Sequence, residues 1–276
     1  METGTRVNTS RGAAGPLLNK VPQVTLLFWI VKIMATTVGE TAADFLSSDL
    51  DLGLLRTTFV MGALLLTALW AQLRSRNYSP PIYWIVVVLI SIVGTLITDN
   101  LVDNFGVSLD LTTTVFALAL SITFAAWYAS EKTLSIHHID TPKRELFYWA
   151  AILFTFALGT AAGDGLAEGL SIGYALSTLL FGAMIAAVIL AHQLFKLDAV
   201  PAFWIAYILT RPFGASFGDL LSQPTTNGGL GLGTVATSGM FLVTILVLVA
   251  AMARIQSRRL RRRRSDRQAR SSMRVL

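Results

Sequence analysis

The chain has 276 residues, 54% of them hydrophobic and only 14% charged, and a mean hydropathy of +0.62, which excludes a soluble domain with a charged surface. It contains no cysteine, which excludes disulfides, thiolate metal sites and redox chemistry at sulfur. The formal charge of +6 is concentrated in a terminal arginine run without interleaved aromatics, so it points to anionic lipid headgroups and not to nucleic acid.

In chain order, residues 1–21 are polar and lack the apolar core of a secretory signal, and they are expected to form a disordered cytoplasmic N-terminus. Eight apolar segments follow, at about 22–46, 54–73, 81–103, 111–130, 143–167, 174–195, 201–222 and 234–254. Each has the roughly 20 residues that a helix needs to cross a hydrocarbon core of about 30 Å. Helix is required, because open strands would leave backbone groups unpaired in lipid. Residues 256–276 form an Arg-rich tail.

All 22 Lys and Arg residues except Lys32, Arg56 and Arg211 fall in the N-terminus, the even-numbered connections or the tail. The odd-numbered connections carry Asp49, Asp51 and Asp110 instead. The positive-inside rule therefore predicts eight spans with both termini cytoplasmic. A multi-pass protein of a cytoplasmic (inner) membrane is therefore expected.

A single pattern, Trp-x9-Gly-x4-Asp, recurs four times: Trp29/Gly39/Asp44, Trp84/Gly94/Asp99, Trp149/Gly159/Asp164 and Trp204/Gly214/Asp219. Successive copies are 55, 65 and 55 residues apart, so alternate copies are 120 apart. Pro22 and Pro142 stand seven residues before their Trp, whereas Pro81 and Pro201 stand three before theirs. The chain thus reads as repeats A (22–78), B (79–134), A′ (135–198) and B′ (199–255). The expected fold is an all-α membrane protein, eight transmembrane helices built as four parallel two-helix repeats in A-B-A′-B′ order. With two crossings per repeat, equivalent residues share a depth, and four carboxylates at one depth can form a ring.

These tryptophans with their Gly and Asp companions resemble a bacterial family of polytopic membrane proteins built from four tandem two-helix repeats of unknown function, the domain-of-unknown-function 347 type. The resemblance spans about 22–251 and implies the repeat architecture, but no substrate.

Seven acids lie in or at the edge of the odd helices: Glu40, Asp44, Asp99, Asp103, Asp164, Glu168 and Asp219. Acids in spans are costly and normally face an interior or an aqueous cavity. The four in-register aspartates could instead cap helix ends at an outer interface. Beyond each Asp stands a hydroxyl, Thr57, Thr112, Ser177 or Thr237, read as a second oxygen layer near the same end. Gly39, Gly94, Gly159 and Gly214 begin small-xxx-small pairs and are read as packing residues. The four tryptophans are also assigned to packing. Lys32 and Arg211 are intramembrane cations without an equivalent in the other half, read as salt-bridge tethers or as part of the site. Arg56 is expected to pair with Asp49 or Asp51.

The histidines lie far from the acids, so an oxygen-only set suits hard cations or protons. No nucleophile and no phosphate-cradling loop is present, so neither an enzyme nor an ATP-driven pump is expected, and no cofactor. The leading expectation is a secondary transporter moving a hard cation or small polar solute past the aspartates. The alternative is a non-transporting scaffold or sensor whose basic tail binds lipid or a partner.

Overall fold

The computed structural model describes residues 19–75 and 77–273. Among them are eight long α-helices and no strand: α1 (Leu26–Asp44), α2 (Leu54–Arg74), α3 (Pro80–Asp99), α4 (Leu109–Glu131), α5 (Pro142–Asp164), α6 (Tyr174–Leu194), α7 (Ala199–Ser222) and α8 (Thr234–Met273). Local chemistry sets the starts. Thr25, Ser108, Thr141 and Asp198 accept a backbone N–H of the first turn, and α3 and α5 open on Pro, whose missing N–H costs nothing there. Pro22 does not open α1 as expected, because the Thr25 cap starts it at Leu26.

Two rings of helices account for the packing. α1, α3, α5 and α7 contact one another in sequence, and α7 returns to α1, closing an inner ring. Each even helix packs on the odd helix of the next repeat: α2 on α3, α4 on α5, α6 on α7, and α8 back on α1. Of the most apolar window in α1, α3 and α5, 61–67% is buried, against 11–17% in the even helices. The outer helices expose large apolar side chains such as Phe59, Leu66, Leu179 and Val247, an arrangement suited to lipid and not to water.

Seven helices are long and apolar enough to cross a membrane; α7, counted among eight spans from the sequence, is not one of them. Arg211, Pro212, Ser216 and Asp219 with two glycines lower its hydropathy, and Arg211 and Asp219 face the neighbouring inner helices and the cavity between them. A second correction concerns the tail. α8 does not stop near residue 254 but continues as one helix of 40 residues, in keeping with the high helix propensity of Arg and Gln. The expected disorder of 1–21 falls outside the described residues for 1–18. Asn19–Val21 are ordered: Lys20 Nζ lies 2.7 Å from the buried Glu145 carboxylate, and Asn19 exchanges two hydrogen bonds with Ile136 and Ile139.

The signature glycines close the inner ring. A Cβ on Gly39 would overlap Ser91, one on Gly94 would come within 2.7 Å of Phe156 Cβ, one on Gly159 would overlap Arg211, and one on Gly214 would overlap Thr36. Each glycine thus seats the residue seven past the Trp of the next repeat, and the fourth seats that of the first. Trp84, Trp149 and Trp204 are buried and Trp29 is half-buried, in one aromatic cluster with Phe28, Tyr83, Tyr148 and Phe203. Both residue types therefore pack, as the sequence suggests.

Candidate functional site

Residues four apart along the odd helices line the axis of the inner ring in layers. The layer one before each Trp holds Phe28, Tyr83, Tyr148 and Phe203, with the two tyrosine hydroxyls 2.6 Å apart. The layer three past it holds Lys32, Val87, Ile152 and Tyr207, and the layer seven past holds Thr36, Ser91, Phe156 and Arg211, all eight fully buried. Eleven past come Glu40, Thr95, Thr160 and Ala215, and fifteen past come the four aspartates. Side chains spaced by four form one ridge of a helix, and four such ridges meet here.

Past the aspartates, three repeats widen. Phe45–Asp49, Asn100–Asn104 and Gly165–Gly169 each form one π-helical turn, closed by hydrogen bonds five residues long such as Leu50 N–H to Phe45 O at 2.9 Å. The wide turn prolongs the odd helices beyond their expected ends and keeps Ser48, Asp103 and Glu168 on the axis; such turns recur at functional sites. α7 has no such turn. The segment after it folds back instead, and the N–H groups of Leu230, Leu232 and Gly233 bond to carbonyls at Leu220–Ser222.

All seven acids singled out from the sequence line one cavity of about 200 Å³, together with Ser47, Ser48 and Gln223. Its mouth is open, with Ser48, Asp103 and Glu168 exposed, and it narrows inward to Glu40 and Asp219, 5% and 7% exposed. Carboxylate oxygens of Glu40, Asp164 and Asp219 lie within 4.8 Å of one another. Like charges this close require neutralising cations or protons.

Arg211 bonds to Glu40 of the cavity without lining it. From α7 its guanidinium reaches Glu40 Oε2 at 2.8 Å and the Thr36 carbonyl at 3.3 Å, both on α1, and also donates to the hydroxyls of Thr95 on α3 and Thr160 on α5. One side chain thus ties all four inner helices together. Lys32 sits a layer deeper with no hydrogen bond, its Nζ 4.2 Å from the Phe156 ring centre and 4.3 Å from that of Tyr207. Of the two tether candidates, only Arg211 is paired with an acid.

Three expectations are corrected. Thr57, Thr112, Ser177 and Thr237 do not line the cavity: they stand a turn into the even helices, outside the ring, where Thr57 and Thr112 bond back to carbonyls four residues earlier and Ser177 bonds to Ser216. Arg56 is exposed, and among the described residues no carboxylate lies within 4.0 Å of it; Asp49 accepts from Thr234 instead. The aspartates do not act as caps: Asp219 is buried inside a helix that continues past it, and Asp44, Asp99 and Asp164, at the ends of α1, α3 and α5, make no side-chain cap hydrogen bond. Sequence reasoning also missed Thr95 and Thr160, although both stand four residues before an Asp, as Glu40 does.

The family model described as Repeat of Unknown Function (DUF347) matches residues 27–78, 82–133, 147–197 and 202–258. The chain belongs to this family. No curated protein and no solved structure matches it. Each DUF347 copy supplies one inner helix, one cavity aspartate and one outer helix, and it leans its outer helix on the next copy. Four copies are needed to close the ring, since a lone copy has almost no packing between its own two helices.

Proposed function

We propose that this DUF347 protein is a secondary transporter of a hard cation or small polar solute. It would bind at the vestibule formed by Asp44, Asp99, Asp164, Asp219, Glu40, Asp103 and Glu168. The carrying observation is the convergence of seven carboxylates from all four repeats on one cavity, with the buried Arg211 bonded to one of them, Glu40. Oxygen ligands of this kind favour hard cations over zinc or copper. The protein acts by binding and release, not by covalent chemistry.

In this reading eight helices cross an inner membrane, α7 included, as parallel repeats in A-B-A′-B′ order with both termini cytoplasmic. The shared position of the four aspartates supports the parallel order, and the position of α7 between α5 and α1 supports its crossing. Alternating access would rearrange one pair of repeats against the other about the Arg211 layer, below which lie Lys32 and the aromatic rings. The long α8 supports an added role for the basic tail on anionic lipid headgroups.

Flux measured in proteoliposomes tests the reading. Asp99→Asn combined with Asp219→Asn should abolish cation uptake, and uptake at the wild-type rate would defeat it. Deleting Leu260–Leu276 should leave flux intact; if it alone removes all activity while the aspartate variant is silent, a scaffold or sensor is the better description.

A further inference from the structure

Glu40 belongs to two arrangements at once. One of its oxygens completes the triad with Asp164 and Asp219, and the carboxylate also holds the Arg211 guanidinium. We infer that the triad takes a divalent hard cation and that Arg211 is its tethered competitor, so that cation entry frees Arg211 from Glu40 and loosens the inner ring. This rests on the cation-transport reading and names its substrate class and its internal gate.

Charge and distance support a divalent ion. Glu40, Asp164 and Asp219 carry up to three negative charges, and Asp44 and Asp99 line the same cavity, so with Arg211 displaced a divalent cation offsets more of that charge than a monovalent one. Oxygen ligands sit about 2.0–2.6 Å from Mg²⁺ or Ca²⁺, so ligands on opposite sides of such an ion are about 4–5 Å apart. The 4.8 Å limit of the triad fits that span without rebuilding the helices. A second observation is independent of the clustering. Asp219 is 7% exposed and lines the cavity, yet its carboxylate has neither a hydrogen bond nor an ion pair among the described residues. A largely buried side chain whose unpartnered carboxylate opens only on a cavity of acids is an acceptor placed for a ligand.

The gate follows from what Arg211 touches. Its guanidinium bonds to α1, α3 and α5 while its own backbone belongs to α7. A divalent ion on Glu40 takes the one carboxylate within 4.0 Å of Arg211 among the described residues and repels the guanidinium. The bond that holds the four inner helices together is therefore exchanged for the bond that holds the substrate, a coupling free energy between ligand and conformation.

The test uses the full chain in nanodiscs with Mn²⁺ alone as the probe, read by electron paramagnetic resonance and by thermal shift, with Na⁺ as the comparison. Wild type should bind Mn²⁺ saturably and Asp219→Asn should lose at least about tenfold in affinity, the equivalent of 1.4 kcal/mol. Arg211→Gln should bind Mn²⁺ more tightly by about tenfold or more. Should Arg211→Gln fail to fold, Thr160→Val, which only weakens the seat of the guanidinium, should also tighten binding.

Unchanged or weaker Mn²⁺ affinity in the folded Thr160→Val and Arg211→Gln proteins would overturn the competition. Na⁺ displacing Mn²⁺ at equal concentration would overturn the divalent assignment. Arg211-dependent Mn²⁺ binding with no flux in liposomes would sustain this inference and retire transport. Cation flux indifferent to both substitutions would do the reverse.

Discussion

Gly214→Ala adds one methyl group at the seam where α7 meets α1 and the inner ring closes. That carbon would overlap the Thr36 hydroxyl, 2.6 Å from Thr36 Cβ and 3.3 Å from the Thr37 backbone nitrogen. Thr36 has little room to turn away, because its hydroxyl bonds to the Ile33 carbonyl at 2.6 Å and its own carbonyl accepts from Arg211. The two helices must separate, at the roughly 1–3 kcal/mol typical of overpacking a core. For a chain of this size that corresponds to a fall in melting temperature of about 2–5 °C. Gly218, one turn along the same helix, provides the internal control. Its Cβ would meet Thr37 and Thr41 methyl carbons at 3.4 Å, an ordinary contact. Gly218→Ala should lie within about 1 kcal/mol of wild type, helped by the better helix propensity of Ala. Thermal unfolding in detergent, followed by Trp fluorescence, measures both. Adding Thr36→Ala to Gly214→Ala should recover part of the loss, and a double-mutant cycle gives the coupling. Equal effects at the two glycines, or no coupling to Thr36, would refute the account of ring closure.

Three other predictions follow from buried polar groups. Lys32→Met should stabilise the protein by about 1–3 kcal/mol in chemical unfolding, because an amine without an acceptor is replaced by an apolar chain of similar length; a loss of stability would show that its aromatic contacts outweigh burial. Tyr83→Phe alone should cost about 1–3 kcal/mol by orphaning the Tyr148 hydroxyl, while the double Phe variant should regain most of it. Glu145→Gln should break the buried pair with Lys20, at about 3–5 kcal/mol, and should speed hydrogen exchange of the Lys20 amide, which bonds to the Ile139 carbonyl at 3.1 Å; unchanged exchange would argue against that anchor.

Much of the architecture is legible in one dimension because lipid imposes it. A bilayer demands long apolar helices, and a fourfold Trp-Gly-Asp spacing can only mean fourfold use of one place. The spacing named four of the vestibule's acids, Asp44, Asp99, Asp164 and Asp219, and Glu40, Asp103 and Glu168 stood out as acids four residues from one of them. It did not separate them from Thr57, Thr112, Ser177 and Thr237, which share the register but stand on the outer helices. Lys20 and Glu145 were also hidden: each reads as an ordinary charge in a cytoplasmic segment until chain folding brings together residues 125 positions apart.

The sequence by itself determined a helical, repetitive membrane protein with costly carboxylates at repeated positions, since hydropathy and spacing are properties of the chain alone. Only the tertiary structure decided which helices turn inward, that each outer helix leans on the next repeat, and that Arg211 of the last repeat holds Glu40 of the first across 171 residues. The reason is rotational. A helix of either ring carries apolar residues around its circumference, so composition does not say which face meets the axis. The glycine seats and the layers of residues four apart set that angle only when all four repeats close on one another.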